Sequence, residues 1–474
     1  MLFHTLPFAA FLLVFLAVYL PLRGTRWAIP AIVVSSSFFY ATWNWRFLPL
    51  LWVTIVVDYQ LGRLLSRTED PGRRKRLVAT SIVVNLGILA YFKYWNFLVS
   101  TVVGDPGWLA TLTHGDIILP LGISFYVFQS MSYVIDVYRR TQLPTMRLMD
   151  FAAFVTFFPH LIAGPIQRVR QLLPQLLAPD PITVTRVASG MLLFASGMLR
   201  KGMADALAAY HDPIFRDLAK ATPPEATFAI FSFGMQIYLD FSGYSEMAVA
   251  LARILGIDLI QNFNAPYLST SIRDFWRRWH ISLSLWLRDY LYISLGGSRV
   301  SMPVHIGNLL FTMTVCGLWH GAGWNFAFWG LLHGIYLAAN TLFNRFLGAR
   351  IEARRWLRYA AALVGVPLTY IAANYAWLYF RVPTFEQAMI VNRKILAVLA
   401  DPHLPVAPPG VFAIFLFVFA WEAFTRFKGE IFPLGLELTV PRALVYGALA
   451  GLVFMVGVAL LIGVPTQQFI YFNF

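Results

Sequence analysis

Cysteine occurs once in 474 residues, at Cys316. A lone thiol excludes both a disulfide framework and a cysteine-based metal cluster. Charge is scarce as well: Asp, Glu, Lys and Arg make up 13% of the chain, against about a quarter in a soluble domain. A water-soluble globule is excluded. Several catalytic signatures are missing. No His-x-x-x-His spacing is available for zinc, and there is no Gly-x-Ser-x-Gly elbow, no Gly-x-x-x-x-Gly-Lys phosphate loop and no Gly-x-Gly-x-x-Gly fingerprint. Hydrolase, ATPase and oxidoreductase readings lose their usual support.

What fills the chain is apolar. Hydrophobic residues make up 58% and aromatic residues 16%, with 15 Trp and 21 Tyr suited to interfacial belts. Apolar segments of spanning length recur at residues 7–22, 28–43, 47–61, 77–103, 117–138, 187–210, 228–257, 304–319, 324–343, 359–380, 411–425 and 443–464. The reading is an all-α polytopic membrane protein of about 12 spans, a single domain over residues 1–474. The first segment ends in Arg23-Gly24-Thr25-Arg26 with no small-residue cleavage site, so it reads as a span with its N-terminus outside.

The net charge of +14 sits in loops. Arg63, Arg67, Arg73, Arg74, Lys75 and Arg76 crowd one, and Arg345, Arg350, Arg354, Arg355 and Arg358 another, whereas 104–116 and 211–225 have little positive excess. The positive-inside rule places the first pair in the cytoplasm and the second pair outside. That distribution accounts for the basicity without a nucleic-acid partner.

Two stretches do not read as simple spans. Residues 151–164 are apolar but short, and Pro159, Gly164 and Pro165 interrupt helical hydrogen bonding; they predict a re-entrant hairpin or irregular backbone buried in protein. Residues 270–295 predict a cytoplasmic amphipathic helix, with Arg273, Arg277, His280, Ser284 and Arg288 inside an arc of about 80°. That face suits either anionic headgroups or a bound phosphate. His320 lies between two segments barely long enough to span, flanked by Gly317, Gly321 and Gly323. It is either a functional ionisable group at depth or a histidine tied to a carbonyl at a helix break. Asp240 and Glu246 are acids within an apolar segment, either a proton or ion relay or a polar network that closes helix packing. Asp58 and Asp136 are expected to pair with Arg63 and Arg139.

Taken together, Pro-Leu-Gly-Ile-Ser-Phe-Tyr at 120–126, the 158–168 stretch with Gly-Pro-Ile-Gln-Arg, Asp-Phe-Ser-Gly-Tyr at 240–244, Phe-Trp-Arg-Arg-Trp-His at 275–280 and Leu-Trp-His-Gly at 318–321 resemble the membrane-bound O-acyltransferase (MBOAT) family. The order and spacing match over nearly the whole chain. The resemblance is nearest to the branch that acetylates alginate, other bacterial polysaccharides or peptidoglycan, a similarity extending to the ending Gln-Phe-Ile-Tyr-Phe-Asn-Phe; the teichoic-acid D-alanylation branch is a near relative.

The resemblance implies a ring of about 11–12 transmembrane helices around a thin centre with cytoplasmic and outer funnels, His320 as the essential histidine and His280 as the second family histidine. The implied activity is acetyl transfer from cytoplasmic acetyl-CoA to an extracytoplasmic polysaccharide at the bacterial inner membrane, without a metal. Membrane lipids, the acceptor, or an exported acetyltransferase on the outer side are the expected partners. On that footing Arg273, Arg277 and Arg288 would hold the donor's phosphates, His320 would act as general base, and Tyr471 would either anchor the tail or relay the acyl group. Peptidoglycan, teichoic acid, a membrane lipid, or a non-enzymatic transporter using Asp240, Glu246 and His320 are the alternatives.

Overall fold

The computed structural model describes residues 1–103, 117–145, 147–403, 407–428 and 440–461. Among them every regular element is helical, as the apolar periodicity requires. Cα packing groups the chain into two compact units, Met1–Phe194 with Tyr244–Ile260 and Leu438–Gly447, and Ala195–Gly243 with Gln261–Glu437 and Ala448–Phe474.

The first unit contains α1 (Leu6–Leu22), α2 (Ala28–Asn44), α3 (Leu48–Ser66), α4 (Pro71–Leu89), α5 (Trp95–Val103), α6 (Ile123–Tyr138), α7 (Leu148–Thr156), α8 (Phe158–Leu161) and α9 (Val169–Leu177). Residues 151–158 are fully buried, and the interrupted segment is not irregular throughout but two helices, α7 and α8, broken at Phe157 inside protein. Its break at Phe157 is supported from both sides. Phe158 N donates to Ser36 Oγ at 3.1 Å, and His160 has Nε2 2.9 Å from the Phe154 carbonyl and Nδ1 2.8 Å from Gln129 Nε2. Asp58 differs from the expectation: it accepts from Ser81 Oγ at 2.6 Å and Asn85 Nδ2 at 2.8 Å, while Arg63 lies over the Tyr59 ring. Asp58 is buried, and two helix-borne dipoles satisfy it without placing a second charge in the core.

Each of α10 (Val184–Arg216) and α11 (Pro223–Ile254) has residues in both units, and both are longer than the expected segments 187–210 and 228–257. The second unit adds α12 (Ile272–Arg278), α13 (Ile281–Leu287), α14 (Met302–His320), α15 (Trp324–Phe343), α16 (Ala349–Glu352), α17 (Arg355–Arg381), α18 (Phe385–Ala400) and α19 (Pro409–Lys428). The last described helix, α20 (Val440–Leu461), starts in the first unit and continues into the second.

Six described segments are long and apolar enough to cross a membrane: Ala28–Ser66, Pro71–Val99, Met302–His320, Trp324–Glu352, Arg355–Arg381 and Pro409–Arg426. The first of them holds both α2 and α3. Leu13, Leu363 and Leu416 are 70%, 79% and 73% exposed, a placement that water penalises and lipid does not. This is a multi-pass membrane protein. The loop 104–116 lies outside the described residues, as does the tail from 462 onward with Tyr471.

Candidate active site

The expected continuous helix over 270–295 is not present. Ser271 caps α12 by accepting from Asp274 N at 3.2 Å, and Asp274 pairs with Arg278 at 2.9 Å, one turn on. The helix then stops. Trp279 is extended (φ −97°, ψ 128°) and His280 is left-handed (φ 42°, ψ 55°) before α13 begins. A left-handed non-glycine residue costs about 1–3 kcal/mol and persists where surroundings impose it. The crossing strand of chain at 262–264 does so: Asn264 N donates to the Arg278 carbonyl at 3.0 Å and Ile281 N to the Asn262 carbonyl at 2.9 Å. Asn262 Oδ1 also accepts from the Ser282 hydroxyl at 2.6 Å.

The break separates His280 from the arginines. Its imidazole is buried edge-on against Phe241, 4.7 Å between ring centres. The turn lies outside the six spanning segments, and burial alone pulls the ring down to about 3, leaving it neutral. Arg273, Arg277 and Arg288 are instead exposed. Arg273 Nη2 donates to Thr341 Oγ1 at 3.2 Å, and Arg288 pairs with its neighbour Asp289 at 2.7 Å.

His320 is the last residue of α14 and is 4% exposed. Its ring lies 4.9 Å from Trp319, 5.2 Å from Trp329, 5.4 Å from Phe380 and 6.4 Å from His280. The two histidines singled out from sequence thus share one aromatic box. The box depends on backbone contact between α14 and α15. A Cβ at Gly317 would lie 2.1 Å from the Phe326 carbonyl oxygen, and one at Gly330 would lie 2.1 Å from that of Met313. Only glycine permits this approach, and small residues are how membrane helices reach it.

Beside the box a cavity of about 630 Å³ lies over the turn between α14 and α15. Phe380 lines it and also touches His320. Its polar lining includes Asn325, whose Nδ2 donates to the Val382 carbonyl at 2.9 Å, and Arg381, paired with Asp212 at 2.9 Å.

A buried histidine next to an open cavity, in a helical membrane scaffold, suits acyl transfer to a hydroxyl. The family model of the membrane-bound O-acyltransferases matches residues 37–382. The chain belongs to that family. This acyltransferase is 41% identical over 394 residues to the probable alginate O-acetylase of Azotobacter vinelandii, covering 79% of this chain and 75% of that protein. It is 41% identical over 389 residues to the probable alginate O-acetylase of Pseudomonas aeruginosa, covering 80% and 71%. Against the peptidoglycan O-acetyltransferase of Helicobacter pylori the identity is 34% over 392 residues, covering 77% and 73%.

Two parts of the acyltransferase escaped the sequence reading. Asp240 is held by Lys201 at 2.9 Å, and Lys201 also binds Asp205 at 2.8 Å, all three buried. This favours the packing role for Asp240 over an ion relay. The i, i+4 spacing of Lys201 and Asp205 on an apolar helix was the available signal. The other is Trp329 and His333 on the α15 face towards His320. Their rings are 4.9 Å apart, and Trp276 Nε1 donates to His333 Nδ1 at 3.3 Å. Gly330 and Gly334, four residues apart around His333, marked this face.

Proposed function

We propose that the protein transfers acetyl groups from cytoplasmic acetyl-CoA to a hydroxyl of an extracytoplasmic polysaccharide of the alginate type, at the bacterial inner membrane. The observation that carries the reading is His320 in a buried aromatic box, 6.4 Å from His280 and one ring away from the cavity lined by Phe380. His320 is the general base, histidine being the side chain that most often moves a proton to or from a reacting group. His280, neutral and held by its backbone, sets the ring environment on one side. If the basic loops face the cytoplasm, α14 runs outward and α17 ends beside the same turn, which supports reading the cavity as the acceptor's. Arg273 and Arg277, exposed on α12, are the candidates for the donor's phosphates. The names of the relatives support a glycan acceptor, and an exported acetyltransferase is the partner that would complete transfer.

The test is reconstitution in vesicles with labelled acetyl-CoA on the cytoplasmic side and alginate oligosaccharides outside. Acetyl ester on the glycan, lost in His320→Ala, is the expected product. Label appearing on peptidoglycan fragments or lipid instead would change the acceptor, and solute flux with no covalent product would make the protein a transporter.

A further inference from the structure

Trp329 and His333 are both fully buried, and each carries a nitrogen that makes no hydrogen bond to the protein: Nε1 of Trp329 and Nε2 of His333. Because Nδ1 of His333 accepts from Trp276, the neutral ring carries its proton on Nε2. The orphan pair therefore consists of two N–H donors on adjoining rings, and Trp329 in turn packs 5.2 Å from His320. Buried donors are almost always satisfied, so two on adjoining rings, one of them packed on His320, call for an acceptor atom that arrives with the substrate. A thioester carbonyl oxygen fits: it is small, has two lone pairs, and gains negative charge during acyl transfer.

We propose that Trp329 Nε1–H and His333 Nε2–H form the oxyanion site of this acyltransferase, a reading that rests on His320 being the base. The attacking hydroxyl oxygen bonds to the carbonyl carbon while His320 accepts its proton. The carbonyl π pair moves onto oxygen, where the two N–H groups meet it. On collapse that pair re-forms the C=O bond, the C–S bond breaks, and the sulfur leaves with its electron pair and takes the proton from His320, giving an ester and a free thiol. Both donors are held before substrate arrives, Trp329 by stacking on Trp377 at 5.3 Å and His333 by Trp276, so no reorganisation is needed when charge develops.

The test follows thiol release from acetyl-CoA in proteoliposomes supplied with alginate oligosaccharides. Trp329→Phe keeps the stacking and removes one N–H, His333→Leu removes the other, and His333→Gln retains both an acceptor for Trp276 and a donor. Loss of one oxyanion donor is expected to lower kcat by about 10²- to 10³-fold, with the KM for acetyl-CoA nearly unchanged and with His333→Gln recovering most of the rate. The assignment is overturned if Trp329→Phe turns over within twofold of wild type, if the loss falls on KM alone, or if His333→Gln is as slow as His333→Leu. Wild-type turnover by His320→Ala would instead remove the base and leave the two donors to be judged on their own variants.

Discussion

Gly330→Ala adds one methyl group where α15 touches α14. The new Cβ would sit 2.1 Å from the Met313 carbonyl oxygen and 3.0 Å from Gly317 N, both backbone atoms. Side-chain rotation cannot relieve such a contact. Reaching an ordinary non-bonded separation of about 3.5 Å requires the two helices to part by more than ~1 Å. His320 rides on α14 while Trp329 and His333 ride on α15, so the parting opens the box directly. Overpacking of this kind costs roughly 1–3 kcal/mol of stability, and a ~1 Å misplacement of reacting groups costs about 10²-fold in turnover. Gly307→Ala is the matched control: it lies on the same α14, and its Cβ meets nothing within 4 Å. There the same substitution should stabilise by about 0.5–1 kcal/mol through helix propensity and leave turnover alone. Melting temperature in detergent and acetyl transfer in vesicles, measured on both variants, check the pair of outcomes. Wild-type turnover and melting in Gly330→Ala would refute the reasoning, because the backbone contact would then not position the site.

His320→Ala should abolish acyl transfer while leaving acetyl-CoA binding in place, since a base acts in the transition state; binding is read by ligand-dependent melting. Lys201→Met leaves Asp205 and Asp240 buried without their shared cation and should cost about 3–5 kcal/mol, seen as a lower melting temperature; an unchanged melt would show that the three groups are not coupled. Arg277→Ala should raise the KM for acetyl-CoA, and high salt should do the same to wild type; weakened bilayer association with an unchanged KM would assign the side chain to lipid headgroups. Tyr471→Phe keeps the ring and removes only the phenol oxygen, so an acyl relay predicts loss of glycan acetylation; full acetylation by that variant, with no acyl-tyrosine trapped in wild type by mass spectrometry, leaves His320 in direct transfer.

Helical class and the two histidines were legible because each leaves a local mark: apolar runs of spanning length, and ionisable residues set among glycines or aromatics. The face shared by His280 and the arginines was legible only on the assumption of a continuous helix, and that assumption fails at Trp279 and His280. The left-handed turn at His280 comes from Asn262 and Asn264, more than a dozen residues upstream, whose backbone groups bond across the break. No window of helical periodicity contains such a term. Once the turn is made, the 100° rule no longer applies beyond Arg278, and the imidazole goes inward to Phe241 while Arg273 and Arg277 stay at the surface. Trp329 and His333 were hidden for a related reason. Each by itself reads as a core aromatic or a satisfied core histidine, and only the close approach of α14 to α15 sets Trp329 on His320, with His333 adjoining it. One break and the glycine contacts between α14 and α15 therefore do opposite things to the same pattern, removing the arginines from the histidine they flank in sequence and bringing Trp329 against His320.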